Sequence, residues 1–497
     1  MRAHRFICAL TFGLVAISAS GAEALEVAAG CDEPRASKQG RTFFVDPERG
    51  DKSNDGSEQK PWRTLAEVLD PANHLVSTRS YGRIGDSLGP PAPINPAGPI
   101  KPGDTIVLMS GDHGAVNASR YVNSDFISVV AGPGQTPLVR SLRLLASSHW
   151  LFRGVKFQGI RPENDKFSPL VGVQSHSWAG PSDNVVFVDN SFSTEDDVRG
   201  WTPEDWVNRP YATGFASTGR CTTLANNHFY NLRDAVVIGG EESLVQGNVI
   251  EDMGNDGIDM TASDVEIRGN LIRSGRHTPA EPLHADGIQG WTSKGATNRN
   301  VVVDSNKIIN LNPAEDNYLH GISIFDGKWD GLTVTNNLVI TNTWNGITLF
   351  GVANALVINN TVIATRPDKY PTWLSIAPAK DRTPSQHVLV RNNMATQVLA
   401  DAEDLAFDHN LAAKFISFRA ADGALVKVVK GGAGDNNIVH PGLFKTFVDF
   451  DPNAGKFDLR PGPISPALAA GADKGAPPTD IDGRPRTTPV DIGAYAR

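Results

Sequence analysis

The chain has 497 residues with 48 glycines and 33 prolines, about one residue in six against a usual one in eight. Turns are therefore frequent, but 40% hydrophobic and 20% charged residues exclude a disordered, low-complexity or collagen-like chain and allow a large core. The formal charge of −9, without a basic block, excludes nonspecific attraction to nucleic acid or an anionic membrane surface, so an acidic ligand must be met by local cations.

In chain order, residues 1–24 have the secretory pattern. Arg2 and Arg5 precede an apolar run from Phe6 to Ser20, and Ala22-Glu23-Ala24 supplies small residues for cleavage. The run is too short, and too broken by Ser18 and Ser20, for a membrane anchor. No later segment can span a bilayer, so a secreted or periplasmic protein is expected, mature from residue 25 and carrying −10. Cys31 and Cys221 remain after cleavage, and 190 residues of separation leave open whether they pair. The Pro-rich stretch Gly89–Pro102 reads as a loop, after which strand phrases resume (TIVLM, FISVVAG, WLFRGVKF).

From residue 190 a repeat emerges. Asparagines recur inside short β-prone phrases at Asn190, Asn227, Asn248, Asn270, Asn306, Asn337, Asn360 and Asn393, with shortest intervals of 21 and 22 residues. Between them lies a second phrase: DAVVIG at Asp234, DGIDMT at Asp256, DGIQGW at Asp286, HGISIF at His320 and NGITLF at Asn345. Two short strands per repeat, with no helical periodicity between them, are too little for a βαβ unit or a helical solenoid. What remains is an all-β right-handed parallel β-helix, a solenoid with an irregular C-terminal tail. A single domain is expected over 25–497, with regular coils about 105–400. The asparagines then form an amide ladder at one bend and are structural. Residues 400–470 are less periodic and fit a last irregular coil.

The repeat departs from itself at one corner. From ladder asparagine to the next phrase the count is 7 residues for Asn227 and 8 for Asn248 and Asn337, but 16 for Asn270 and 14 for Asn306. These insertions, with RPDKYPTW after Asn360, stack into one wall of a groove carrying Arg273, Arg276, His277, His284, Glu315, Asp316, Tyr318, Arg366, Lys369 and Tyr370. Basic and aromatic groups in such a groove suit an extended anionic sugar chain. Beside the wall, Asp234, Asp256, Asp286, His320 and Asn345 share one column. Coils stack at roughly 4.8 Å, and like charges about 5 Å apart repel by roughly 3 kcal/mol at an effective dielectric near 20. Such a column needs a cation, a shared proton or solvent; otherwise its Asp-Gly pairs are ordinary turn chemistry. Alternation places Asp259 outward with Gln289, Ser323 and Thr348 in the equivalent positions, so that Asn255, Asp256 and Asp259 make an oxygen-rich patch of the kind calcium prefers.

In these features the chain resembles the pectate-lyase-like superfamily of secreted β-helix proteins, over roughly residues 40 to 497. The entry phrase Phe43–Leu69 and the exit DIDGRPRTTPVDIGAYA from Asp480 look like that group's opening and closing segments, which implies a strand, a Gly/Asp loop and an amphipathic N-terminal cap helix at the entry. GNDGID at Asn255 is similar to the calcium-binding phrase of its pectate lyases, with Asn255 for an Asp and Gln289 where the lysine base would stand. NDGID, ADGI at Asp286 and HGISI are similar in order to the catalytic phrases of polygalacturonase-like glycosidases, with Ala285 in place of one Asp. The resemblance implies a polysaccharide-active enzyme, foremost a lyase that cleaves a uronate chain by β-elimination. Its alternatives are a glycoside hydrolase, a uronate C5-epimerase and a non-catalytic carbohydrate-binding β-helix. The catalytic candidates are His284, His320, Lys294, Asp286 and Arg273. Arg276, Gln289, Tyr318, Lys328 and Trp291 are candidates for substrate binding, and Asp234, Asp256 and Asp259 for holding Ca2+. The partner is an anionic polysaccharide, the protein acting as a monomer.

Overall fold

The computed structural model describes residues 25–34, 40–160, 168–209, 212–276, 284–293, 295–310, 318–419, 425–427 and 436–497. Residues 1–24, where a signal sequence is expected, and Lys294, His277, Glu315 and Asp316 lie outside the described residues. Among those described, no helix is long and apolar enough to cross a membrane.

Short β-branched segments of three to seven residues pair in parallel with the equivalent segment one coil later, which gives a right-handed parallel β-helix. One sheet runs from Thr42–Val45 through Val185–Val188, Leu244–Gln246 and Val302–Asp304 to Ala406–Asp408. A second column, just past the asparagine bend, includes Val249–Met253, Leu271–Arg273, Lys307–Ile309 and Leu338–Thr341. A third holds Val236–Ile238, Ile258–Met260, Asp286–Trp291, His320–Asp326, Asn345–Phe350 and Trp373–Ala377. The second and third columns merge where Met394–Ala400 pairs with both.

Alternation along each strand sends one apolar set into the coil. Equivalent residues then stack on themselves, as where Phe192 lies 5.0 Å from Phe157 and 4.4 Å from Phe229, ring centre to centre. At the bend, each ladder asparagine accepts from the previous one's backbone N–H and side-chain amide, both at 2.9–3.1 Å, and its own amide also donates to a backbone carbonyl. The ladder runs past Asn393 to Asn410 and Asn437, so regular stacking continues into the region that reads as irregular in sequence.

Three local expectations are refined. The cap helix is one short turn, Leu65–Leu69, N-capped by Thr64, with Leu65, Val68 and Leu69 buried. The Pro-rich stretch is not a plain loop: Ser87–Ile94 pairs antiparallel with Thr78–Ile84, since proline is tolerated on an edge strand that needs few N–H donors. Cys31 and Cys221 do form a disulfide, which ties the N-terminal segment to the coils. The exit phrase turns back along the second column, where Leu338, Ile340, Ile363 and Met394 point outward and need cover. Ile481, Ile492, Ala494 and Tyr495 bury them, while Asn359 donates to the carbonyls of Asp491 and Gly493.

Candidate active site

The third column brings the five phrase-initial residues onto one line at the corner, with Asp286 directly paired to His320 one coil on. Asp259 pairs with Gln289, Gln289 with Ser323 and Ser323 with Thr348, and the flanking Ile258 and Met260 are fully buried. Glycine follows each phrase-initial residue in four of these coils for lack of space between them. A Cβ on Gly257 would lie 2.6 Å from the carbonyl oxygen of Gly287, and one on Gly287 would lie 3.1 Å from that of Gly321.

The acidic groups do not cap their own backbone turns; they bond to side chains beside them and to the neighbouring coil. Asp256 Oδ1 accepts from the backbone N–H of Asp286 at 2.7 Å, and Asp256 Oδ2 accepts from the Asn255 amide at 2.9 Å. The same amide donates to Asp234 at 2.7 Å, and the Thr213 hydroxyl donates to Asp234 at 3.0 Å. Asp234, Asp256 and Asp259 each offer an oxygen within 4.8 Å of the others. Burial, and then the carboxylates of Asp259, Asp286 and Asp234, push the Asp256 carboxyl well above the ordinary range. Burial, with Asp234 and Asp286, does the same to Asp259.

Two oxygens here, Asn255 Oδ1 and Asp259 Oδ1, are buried without a hydrogen-bond donor. Both are acceptors, beside three carboxylates, with no nitrogen or sulfur ligand in the set. The donor set therefore fits a hard divalent cation such as calcium.

Asp286, fully buried, is the junction between this patch and the histidines. His284 Nδ1 bonds Asp286 Oδ2 at 2.6 Å, and His320 Nδ1 bonds Asp286 Oδ1 at 3.2 Å. Burial pushes the Asp286 carboxyl up, but the two imidazole bonds outweigh it and hold it below the ordinary range. Its bond to Asp286 in turn raises His284 above a free imidazole. The rings of His284 and His320 stack at 5.5 Å, with side chains 45% and 17% exposed. The Asn345 amide also lies 3.3 Å from His320 Nδ1. Nδ1 either donates its proton to Asp286 or accepts one from Asn345, and the charged carboxylate, which can only accept, draws the proton of Nδ1 to itself. Both imidazoles therefore bind through Nδ1, leaving Nε2 for a ligand.

The remaining candidates divide. Gln289 stands beside the junction, 3.4 Å from Asp286, and Trp291 is 42% exposed on the same strand. Tyr318 joins an aromatic group through Tyr370. Arg273 stands on the second column and is bonded to Glu251 at 2.7 Å; Arg276 is bonded to Asp252 at 2.7 Å. Both are held away from the column by acids that a one-dimensional count of cations overlooks. Lys328 pairs with Asp381 at 3.4 Å, beyond the far ends of the site strands. Residues missed in sequence include Arg233, 3.7 Å from Asp234, and Phe325, whose ring lies 5.9 Å from His284. Phe325 sits at a register shift between Asp286–Trp291 and His320–Asp326, which simple alternation cannot foresee.

Comparison with known proteins agrees with the fold. Residues 213–366 match the family model described as "Right handed beta helix region". That stretch spans the coils carrying every described residue of the acidic and histidine clusters. No curated protein matches the chain significantly. Similar solved structures include a pectate lyase, Pel9A, at 13% identity and TM-score 0.45, covering 92% of this chain and 96% of that one. Another is XylC in complex with xylose, at 11% identity and TM-score 0.49, covering 92% and 98%. A third is a lacto-N-biosidase from Eubacterium ramulus, at 13% identity and TM-score 0.41, covering 80% and 68%. At these identities the likeness is one of fold.

Proposed function

We propose that the protein is an exported polysaccharide lyase that cleaves a uronic-acid-containing chain by β-elimination. The observation that carries this reading is the commitment of Asp286: both of its oxygens bond imidazoles, so the groups turned to the groove are two Nε2 atoms and not a carboxylate. His284, the more exposed of the two and made more basic than a free imidazole by its bond to Asp286, is the base. Its Nε2 takes the proton from the carbon alpha to the uronate carboxylate. The electron pair left behind forms the new C=C bond as the β C–O bond breaks. The imidazolium so formed at His284 gives the proton from Nε2 to the departing oxygen, so one proton is taken and one returned, while His320, stacked on His284 and bonded to the same carboxylate, lines the groove beside it. Gln289 and Trp291 flank the bound ring.

Asp234, Asp256 and Asp259 with Asn255 would hold Ca2+. A calcium ion supplies neutralisation of the substrate carboxylate, which acidifies the adjacent C–H. The chain's net charge of −9 makes such local compensation necessary for an anionic substrate.

The second reading is hydrolysis by a carboxylic acid and a carboxylate. It is favoured by the opposite displacements of Asp256, upward, and Asp286, downward. Against it, each oxygen of both groups already accepts a hydrogen bond from the protein. Incubation with a panel of anionic polysaccharides separates the two. A lyase produces an unsaturated uronate absorbing in the near ultraviolet, whereas reducing ends without that absorbance would replace this proposal with hydrolysis.

A further inference from the structure

The column that holds the histidines does not end at Asn345. One coil on, Asn345 pairs with Trp373, whose indole N–H donates to the Thr348 hydroxyl at 3.1 Å and so fixes the ring at the corner. Trp344, 43% exposed, lies 5.4 Å from Trp373, ring centre to centre, and 6.3 Å from Tyr370, which in turn lies 6.3 Å from Tyr318. Four rings from three successive coils thus meet beside the corner, the farthest of them, Tyr370 and Trp373, two coils beyond His320. At the strand spacing this is about 10 Å along the axis.

The cations of this coil differ from the others near the groove. Arg273, Arg276, Lys328 and Lys380 are each paired to a carboxylate. Arg366 and Lys369 make no ion pair among the described residues, not even with the exposed Asp368 between them. Lys369 Nζ stands over the Tyr370 ring at 5.0 Å. A partly exposed guanidinium and an exposed ammonium, neither paired to a described carboxylate, stand against a set of rings and provide charge for an anion and a flat face for the sugar carrying it.

We propose that Trp344, Tyr370 and Trp373, with Arg366 and Lys369, form a uronate-binding subsite separate from the reacting centre. It receives a sugar of the same chain about two coil spacings from the His284–His320 pair. The polysaccharide therefore lies parallel to the coil axis and extends from the histidines toward the C-terminal coils. The inference rests on the lyase reading only for the choice of substrate, because the subsite binds whether or not its neighbour eliminates.

Isothermal titration of the full chain carrying His284→Ala, which prevents turnover, tests it. The probes are the tetramers of galacturonate and mannuronate, with neutral xylotetraose for comparison. At least one acidic tetramer binds tenfold or more tightly than xylotetraose, and added salt weakens that binding. Trp344→Ala reduces the affinity at least tenfold. Arg366→Ala with Lys369→Ala does the same and flattens the salt dependence. All three side chains are exposed or partly so, and an unchanged melting temperature verifies folding. The proposal is overturned if neither acidic tetramer binds preferentially, or if these variants bind as the parent does. Near-ultraviolet product from the unsubstituted enzyme is read separately, so loss of the lyase reading and loss of the subsite are distinct results.

Discussion

Two polar columns run along this molecule at the same coil spacing, and they solve the problem of stacking like on like in opposite ways. In the asparagine ladder each amide is both donor and acceptor, so a stack of identical groups satisfies itself from Asn190 to Asn437. A carboxylate only accepts. Its stack repels itself, borrows donors from Asn255, Thr213 and the Asp286 N–H, and still leaves Asp259 Oδ1 without one. Self-complementary groups make scaffold, whereas groups that cannot complement themselves bind protons, cations or substrate.

The largest expected contrast comes from removing one member of each column. Asp286→Ala releases both imidazoles and lowers kcat/KM by roughly 10³-fold, with little change in melting, as measured by formation of unsaturated product and by circular dichroism. Asn248→Ala should do the reverse. It strands the amide and N–H of Asn227 and the carbonyl of Leu224, costing about 2–4 kcal/mol, read as a lowered denaturant midpoint while the folded fraction retains its turnover.

A smaller effect distinguishes a cation from a shared proton in the acidic patch. The folded-state pKa of Asp256 is raised, so the native state holds that proton more tightly than the unfolded chain. Stability in chelator therefore falls as pH rises from the unfolded value, about 3.9, through the folded one. Asp256→Asn removes the repulsion and should stabilise the chelated protein by about 1–3 kcal/mol at neutral pH, while cancelling the rise in melting temperature that calcium gives the unsubstituted chain. A melting temperature indifferent to calcium in both proteins would leave the patch to protons alone.

The smallest effect is the pH profile. His284 must be neutral to act as base, and its pKa is raised above about 6.5. kcat/KM should climb about tenfold per pH unit below that raised value and level off above it. A profile already flat at pH 6 would point to a base other than His284.

Much of this was legible in the chain because a solenoid turns sequence period directly into spatial contact. The Asn interval and the Asp-Gly phrases sufficed to align Asp234, Asp256, Asp286, His320 and Asn345 and to turn Asp259 outward, since parallel register and side-chain alternation follow from local spacing. The same local rule does not extend to partners reached across the surface. Arg273 and Arg276 read as groove cations until Glu251 and Asp252, on the strand one coil before, take their charge. Asn410 and Asn437 were hidden because uneven loops obscured the period, although the hydrogen bonds continue unbroken.

The sequence by itself therefore determined the coil, its bend and the order of residues along the corner, because each depends on short-range pattern repeated. Only the tertiary structure decided which groups are free to act. Asp286 is spent on two histidines, Asp259 keeps an oxygen without a donor, Cys31 meets Cys221, and Trp373 extends the column toward Trp344. A side chain's availability depends on every neighbour competing for it, and those neighbours come from other coils and inserted loops whose positions no local pattern specifies.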